Sequence, residues 1–311
     1  MTDRVGQLLE DILEGPAALE RLLAAYDAPD SPLARLMPGL EATSRVAFTG
    51  LGSSRYAGSI AASDLRATGA SAWVEYASSG SPTAPAADLA LVAISASGRT
   101  AEVIAAARRH QGRSLVVAVT NDPGSALAAV ADHVLPLHAG VEAAGIATCT
   151  FRATVAVLGM LAGRTPASLA PTVEELSAAI DGREQWLLDM ADAIDGASAI
   201  DVLADAAILG LADQAALMLR EAPRLPATAH DTGDWLHTAV YLALPGHRAL
   251  LFPGAKADAE VIATIERRGG AVVSMPSASA AGDPFRRTIV ESVTAELLAA
   301  ELWRRTSAVE R

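Results

Sequence analysis

Short apolar runs alternate with helical patterns along this sequence, and that alternation constrains the fold more than any other feature. Nearly continuous apolar strands are typical of a parallel sheet that helices cover on both faces. After a helical segment over residues 3–40, we expect strands at 45–50, 71–77, 88–95, 114–121 and 133–138, and helices at 58–69, 100–110, 125–131 and 146–161. This half of the chain predicts one doubly wound α/β domain.

The same alternation restarts after residues 163–171, a stretch rich in Gly, Pro, Ser and Thr that is typical of a linker. Strands are expected at 198–204, 248–254 and 271–276, and helices at 172–194, 207–221, 233–243, 257–268 and 290–305. Because the order of elements recurs, we predict a tandem duplication of one flavodoxin-like, three-layer domain. The predicted division is a helical segment over 1–40, a first domain over 41–165 and a second over 172–311.

Charge and cysteine content argue against several classes of function. The formal net charge is −12 and the basic residues are scattered, which disfavours a nucleic-acid partner. One cysteine, Cys149, rules out an internal disulfide, and the six histidines lack metal-site spacing. No run approaches the roughly 18 apolar residues of a membrane span, and the N-terminus lacks a secretory signal. We expect a cytoplasmic protein with no membrane, metal or cofactor requirement.

Two loops rich in small residues follow predicted strands of the first half. TGLGSSRYAG (49–58) follows the first strand, and SASGRTAE (95–102) follows the third. Ligands bind beyond the carboxyl ends of parallel strands, where the next helix offers backbone N–H groups. Hydroxyls come from Ser54, Ser95, Ser97 and Thr100, and Gly98 allows a close backbone approach. We expect Thr100 and Ser54 to cap their helices, and the two loops to surround one phosphate.

Two other interpretations of these loops stay open. Turn chemistry alone explains Ser, Gly and Thr in either loop. A dinucleotide site is the second alternative, because Gly50 and Gly52 start a G-x-G-x-x-G pattern and Glu75 stands near the end of the second strand. The third glycine of that pattern is Arg55 here, which weakens the dinucleotide interpretation.

Three stretches of the first half resemble the sugar isomerase (SIS) domain family. They are TGLGSSRYAG, ISASGRTAEVIAAAR (94–108) and AVTNDPGSALAAVADHVLPLHAGVEAAGIATCTFRATV (118–155). The likeness covers nearly the whole chain as a double SIS protein, and is closest to the isomerase half of glucosamine-6-phosphate synthase (glutamine–fructose-6-phosphate aminotransferase). The resemblance implies a phosphosugar site formed by Gly52, Ser53, Ser54, Ser95, Ser97, Gly98 and Thr100.

In the second half, ALMLREAPRLPATAHDTGDWLHTAVYLAL (216–244) resembles the family's A-L-K-L-K-E…H-G-P segment. The resemblance assigns Glu221 as general base and His237 as the ring-opening histidine, which the family often supplies across a homodimer interface. Moving a proton between C1 and C2 of an open-chain sugar requires a carboxylate near both carbons and a second group at the ring oxygen. The residues alone also fit an ordinary helix-end acid and a packed core histidine.

His230, Asp231 and Asp234 stand between the two assigned residues and are weaker candidates for the same cleft. Several family features are missing. We expect neither the nucleophilic N-terminal cysteine and glutaminase half nor the lysine-bearing C-terminal tail of the synthase, and Met218 replaces a lysine of the family segment. LADAAIL (203–209) replaces the glycine–serine loop in the second half, so one phosphate site per chain is expected, in the first half.

The leading hypothesis is an aldose–ketose phosphosugar isomerase that acts on a hexose phosphate or amino-sugar phosphate through an enediol or enolamine, with or without deamination or amination. A non-catalytic, regulatory sugar-phosphate-binding protein is the first alternative. A nicotinamide-dependent oxidoreductase is the second.

Overall fold

The computed structural model describes residues 4–277 and 283–309. The chain divides into two compact units, each described by itself. The N-terminal unit contains Pro16–Val141 and Cys149–Val173, and the C-terminal unit contains Met1–Gly15, Glu142–Thr148 and Glu174–Arg311.

Five parallel strands form the sheet of the N-terminal unit, in the order β2-β1-β3-β4-β5. The strands are β1 (Arg45–Gly50), β2 (Ser71–Tyr76), β3 (Leu89–Ile94), β4 (Leu115–Thr120) and β5 (His133–Pro136). The helices are α2 (Gly15–Tyr26), α3 (Pro32–Glu41), α4 (Ser53–Ala67), α5 (Ala101–His110), α6 (Cys149–Leu161) and α7 (Pro166–Leu169), with a 3₁₀ turn at Ala128–Val130.

Helices cover both faces of this sheet. On one face α4 packs on β1 and β2 and against α6, and on the other α5 packs on β3 and β4. Gly58 lets α4 approach the sheet closely, since a Cβ there would lie 3.1 Å from the Cβ of Phe48. Every residue of β3 and of α6 is buried. The central strands therefore have the uniform burial that their apolar runs predicted.

Four parallel strands form the sheet of the C-terminal unit, in the order β7-β6-β8-β9. The strands are β6 (Ala199–Ala204), β7 (Ala227–Asp231), β8 (His247–Leu251) and β9 (Ala271–Ser274). The helices are α1 (Arg4–Leu13), α8 (Pro171–Asp181), α9 (Leu187–Ile194), α10 (Leu209–Glu221), α11 (Thr232–Thr238), α12 (Asp258–Arg267) and α13 (Pro284–Val309), with 3₁₀ turns at Gly182–Gln185, Ala206–Ile208 and Val240–Leu242.

In this unit α10 packs on β6 and β7 and against α13, which also contacts α1 and α9. The core on the other face includes Leu203, Leu251, Val261 and Trp235, with Trp235 fully buried. Within residues 4–277 and 283–309, no helix combines the length and apolar character that crossing a membrane requires.

The predicted α/β class with parallel sheets is confirmed. The tandem duplication stays a prediction, which the matching strand orders of the two sheets support. Several predicted boundaries were wrong. The helix predicted at 58–69 begins at Ser53, and α6 begins at Cys149. The predicted linker contains α7, which Thr165 and Ser168 stabilise through a capping box.

Three predicted helices are broken or absent. The helix expected over 233–243 ends at Thr238 and is followed by a 3₁₀ turn at Val240–Leu242. The helix expected over 172–194 is interrupted by the 3₁₀ turn that starts at Gly182. Residues 125–131 form only a 3₁₀ turn, at Ala128–Val130, and the amide of Leu127 donates to the carbonyl oxygen of Gly98 at 3.0 Å. This tertiary hydrogen bond ties the segment to the second small-residue loop.

Candidate functional site

The two small-residue loops leave the sheet of the N-terminal unit at neighbouring strands. β1 lies between β2 and β3, so the chain crosses to opposite sides of β1 in successive connections. Ligands of open α/β sheets bind at such a switch point, outside the carboxyl ends of the strands. At Gly50 an added Cβ would lie 2.9 Å from the Cβ of Ser54 and 3.2 Å from the carbonyl oxygen of Ile94. The start of α4 is therefore close to the end of β3.

The loop from Ser95 to Thr100 needs glycine at one position. Gly98 has φ +61°, and a Cβ there would lie 2.0 Å from the Oγ of Ser125. The amide of Gly98 donates to the carbonyl oxygen of Ser95 at 3.0 Å, which closes a tight turn. The amide of Asn121 donates to the carbonyl oxygen of Ala96 at 2.9 Å, so the loop is also held to the end of β4. Backbone contacts thus preform the loop.

The predicted phosphate-binding residues have different exposures. Ser97 is exposed, Ser53 and Ser54 are partly buried in the first turn of α4, and Ser95 is only 3% exposed. The hydroxyls of Ser95 and Thr100 lie 3.0 Å apart and bond to each other, and the amide of Arg99 donates to the Oγ of Ser97 at 3.3 Å. Ser95 therefore supports the loop from the interior, while Ser97 is exposed.

The capping expectation was wrong for both helices. Thr100 stands at the N-cap of α5 without making a side-chain cap, and its hydroxyl is bonded to Ser95. Ser54 lies inside α4, whose N-cap is Gly52, with φ +52° and no side chain. At neither helix does the N-cap residue, Gly52 or Thr100, provide a side-chain cap. The positive ends of both helix dipoles are consequently suited to an external anion.

The corresponding loops of the C-terminal unit differ, because carboxylates of the chain bind their amides. After β6, the Oδ1 of Asp205 accepts from the amide of Ala207 at 2.9 Å. After β8, the Oδ2 of Asp258 accepts from the amides of Gly254 at 2.7 Å and Ala255 at 3.0 Å. A phosphate there would face a carboxylate that already occupies the donors. The geometry therefore favours anion binding in the N-terminal unit.

Nearby acidic and basic side chains argue against a dinucleotide. Glu75 uses its Oε2 to accept from the amide and hydroxyl of Thr83, at 3.0 and 2.8 Å, and so serves the β2–β3 loop. The guanidinium of Arg55 lies 4.4 Å from the ring centre of Tyr76 and 5.0 Å from that of Tyr56. The side chain at the third-glycine position is thus large and held in place. Both features disfavour the nicotinamide alternative.

Glu221 is the last residue of α10 and is exposed. Although the residue is exposed, its carboxyl is partly desolvated by neighbouring atoms, which raises the pKa of Glu221. The positive charge of Arg220 opposes this shift. Arg220 itself is held by donating to the carbonyl oxygen of Ala227 at 2.7 Å. A carboxyl with a raised pKa and access to solvent is suited to taking and returning a proton.

His237 is exposed on α11, so the core-histidine interpretation was wrong for this residue. The fully buried ring in the same unit is that of His247. Two weaker candidates are engaged within the unit. Asp231 accepts from the amide of Asp234 at 2.8 Å as the N-cap of α11, and His230 lies 3.5 Å from the carboxylate of Asp201.

The sequence interpretation missed a buried carboxylate in the C-terminal unit. The Oδ2 of Asp201, in the middle of β6, accepts from the indole N–H of Trp235 at 2.7 Å and bonds to the Nε2 of His247 at 2.9 Å. The one signal was an acid inside the apolar strand SAIDVLA. Within the described part of the chain, no group of three or more His, Cys, Asp or Glu side chains is placed to hold a metal ion.

Comparison with known families finds one match. A family model described as the SIS domain matches residues 40–164, so this segment is similar to that domain. Two relatives are isomerizing glutamine–fructose-6-phosphate aminotransferases. The protein of Aeropyrum pernix is 30% identical over 78% of this chain and 42% of its own length, and that of Zymomonas mobilis is 30% identical over 75% and 42%. The chain spans about two fifths of the length of these relatives.

Solved structures share the fold at low identity. The C-terminal domain of glucosamine-fructose-6-phosphate aminotransferase from Francisella tularensis has a TM-score of 0.82 at 19% identity, covering 96% of both chains. Tagatose-6-phosphate ketose/aldose isomerase from Escherichia coli has a TM-score of 0.81 at 18% identity, covering 96% of this chain and 93% of the other. Glucosamine-6-phosphate deaminase from Thermotoga maritima has a TM-score of 0.76 at 15% identity, covering 96% and 95%.

Proposed function

We propose that this chain is a phosphosugar isomerase of the aldose–ketose type, acting on a hexose phosphate or amino-sugar phosphate. The observation that carries the proposal is the pair of uncapped helix starts, α4 and α5, at neighbouring strands of the N-terminal sheet. The SIS match over the same loops and the isomerizing relatives support it. The double SIS organisation and a homodimer remain part of the proposal.

The phosphate is bound in this proposal by hydroxyls and backbone amides. Ser97 and Ser54 donate O–H groups, and the first turns of α4 and α5 supply N–H groups and positive dipole ends. A hydrogen bond to a charged group contributes about 1.5–3 kcal/mol, and a helix dipole adds about 0.3–1 kcal/mol. Several such interactions together favour phosphate binding without a lysine.

Glu221 is assigned the proton transfer. Its carboxylate removes a proton from the carbon next to the sugar carbonyl, the C–H electrons form a C1–C2 double bond, and the carbonyl oxygen takes up a proton to give an enediol. Glu221 then returns its proton to the former carbonyl carbon, while the hydroxyl on the deprotonated carbon loses its proton to solvent and becomes the new carbonyl. With an amino sugar the same steps give an enolamine. His237 is assigned the ring oxygen, to which it transfers a proton when the cyclic sugar opens.

The experiment follows solvent deuterium at C1 and C2 of fructose 6-phosphate and glucosamine 6-phosphate by NMR. Wild-type protein is expected to exchange deuterium into C1 or C2 of at least one of these two sugar phosphates. Glu221→Gln should abolish exchange while keeping sugar-phosphate binding, measured by thermal shift. Glu260→Gln, at an exposed glutamate of α12, is the matched control and should behave as wild type. Unaltered exchange in Glu221→Gln would remove Glu221 from the mechanism.

A non-catalytic sugar-phosphate-binding protein is the second candidate. The observation that favours it is Met218, which is fully buried in α10 where the family segment has a lysine. In this case a hexose phosphate stabilises the wild-type protein thermally, but no exchange occurs at any pH. Detectable exchange would reject this candidate.

A further inference from the structure

We infer that Asp201 is a positioning residue that orients α11 and thereby His237. This inference rests on the proposed function, in which His237 acts at the ring oxygen. Asp201 is only 5% exposed and belongs to the central strand pair of the C-terminal sheet. Its hydrogen-bond partners include neither Glu221 nor His237, so any effect on catalysis passes through the residues that it holds.

One carboxylate joins four elements. From β6, the Oδ2 of Asp201 accepts from the indole N–H of Trp235 on α11 at 2.7 Å. The same oxygen lies 2.9 Å from the Nε2 of His247 at the start of β8. The Oδ1 lies 3.5 Å from the Nε2 of His230 on β7. Loss of this carboxylate would release a donor on each of the three partner elements.

Asp201 stays ionised despite its burial. Burial alone would raise the pKa of the Asp201 carboxyl, but the donors on His230, His247 and Trp235 outweigh it and hold the pKa well below its usual range. A buried charge of this kind is tolerated only where donors surround it. The carboxylate therefore provides a charge-assisted hydrogen bond to the indole, which is shorter and stronger than a neutral one.

The indole is the buried anchor of a short helix. α11 has seven residues, and Asp231 caps its N-terminus. Trp235 is fully buried, and its ring centre lies 6.3 Å from that of His247, with the planes tilted by 33°. The Nδ1 of His247 is buried without a hydrogen-bond partner among the described residues, so the imidazole ring is held by its bond to Asp201.

The position of His237 on α11 follows from the orientation of Trp235. Two residues along an α-helix correspond to about 200° around its axis, so the side chain two positions after the inward-facing Trp235 faces outward. His237 is exposed, in agreement with this geometry. A rotation or shift of α11 that follows loss of the indole hydrogen bond would move His237 by a similar angle. Placement errors of this size reduce rates strongly where a proton must reach one atom.

The test separates ring opening from proton transfer. Fructose 6-phosphate must open its ring before C1 can exchange, whereas 5-deoxyfructose 6-phosphate lacks the hydroxyl that closes the ring. For Asp201→Asn and Trp235→Phe we expect at least a tenfold loss of deuterium exchange on fructose 6-phosphate and less than a twofold change on the open-chain analogue. His237→Gln should give the same split, and Asp201→Asn with His237→Gln should be no slower than His237→Gln alone. Asp195→Asn, at an exposed acid of the same unit, is the control.

A proportional loss on both substrates, or no loss on either, would overturn the assignment. Hydrogen exchange by mass spectrometry tests the anchor without turnover. In both Asp201→Asn and Trp235→Phe, the amides of residues 232–238 should lose protection while those of β6 and α10 keep it. If Asp201→Asn does not fold, Trp235→Phe alone provides the test. Unchanged protection of α11 overturns the assignment by itself. Wild-type protein that exchanges neither sugar overturns the proposed function.

Discussion

Gly98 is the residue at which the phosphate-loop interpretation depends most directly on backbone geometry. Its φ of +61° disfavours any side chain, and an added Cβ would overlap Ser125. We predict that Gly98→Ala destabilises the protein by about 2–4 kcal/mol, combining backbone strain with overpacking. Glucosamine 6-phosphate binding should also weaken. Urea unfolding and thermal shift with the sugar measure the two effects.

Gly112 provides the control for this prediction. It also has a positive φ, +69°, but an added Cβ would meet no atom within 4 Å. Gly112→Ala should therefore cost only about 1–2 kcal/mol and leave sugar binding unchanged. Equal destabilisation by the two substitutions would show that the contact with Ser125 has no energetic consequence.

The hydroxyls of Ser97, which is exposed, and Ser54, which is partly buried, give a second prediction for single residues. If Ser97 and Ser54 donate to a phosphate, each Ala substitution should weaken binding by roughly 10- to 100-fold, the equivalent of about 1.5–3 kcal/mol. Ser81→Ala, at an exposed serine of the β2–β3 loop, should leave the Kd unchanged. Calorimetry with glucosamine 6-phosphate measures all three. If Ser97→Ala leaves the Kd unchanged, the phosphate does not bind at the Ser97 hydroxyl.

At the scale of elements, a buried histidine connects α5 to the β2–β3 loop. The Nε2 of His110 lies 3.2 Å from the carbonyl oxygen of Thr83, and its Nδ1 lies 3.0 Å from the Oγ of Ser114. The Oγ of Ser114 accepts a hydrogen bond from the amide of Ala86. These contacts match a neutral ring that donates from Nε2 and accepts at Nδ1. Thr83 is also bound by Glu75, so the loop is held from both sides.

The His110 contacts predict a pH dependence of stability. Burial lowers the pKa of His110 below its ordinary value of 6.5, the hydrogen bond to Thr83 opposing the shift. The unfolded chain therefore binds more protons between the folded pKa and 6.5, and stability decreases as the pH falls through that window. His110→Gln should reduce the difference in unfolding free energy between pH 7.5 and 5.5, measured in urea. An unchanged difference would assign the dependence to other groups.

At the scale of the whole molecule, the two sheets predict one anion site per chain. Loop amides after β6 and β8 are taken by Asp205 and Asp258, whereas α4 and α5 begin without a side-chain cap. Calorimetry with glucosamine 6-phosphate should give a stoichiometry of one per chain. Asp258→Ala should create a second, weaker site for inorganic phosphate. Two equal sites in the wild-type protein would contradict this assignment.

Much of this molecule follows from its sequence. Apolar runs of strand length next to helical patterns are local features, and local patterning is sufficient to predict parallel α/β sheets and the strands that precede the small-residue loops. The order of Gly52, Ser54, Ser97 and Gly98 along the chain likewise indicated where a phosphate is expected. Element boundaries were predicted less well, because segments such as 125–131 form tertiary hydrogen bonds that local patterning does not show.

Only the tertiary structure decided which polar groups are used inside the protein and which face solvent. Thr100 binds Ser95 instead of capping α5, His237 is exposed while His247 is buried, and Asp201 gathers donors from three other elements. Each outcome depends on partners that are distant in sequence, and the energy of a buried polar group depends on those partners. Sequence periodicity and residue type do not indicate these distant partners.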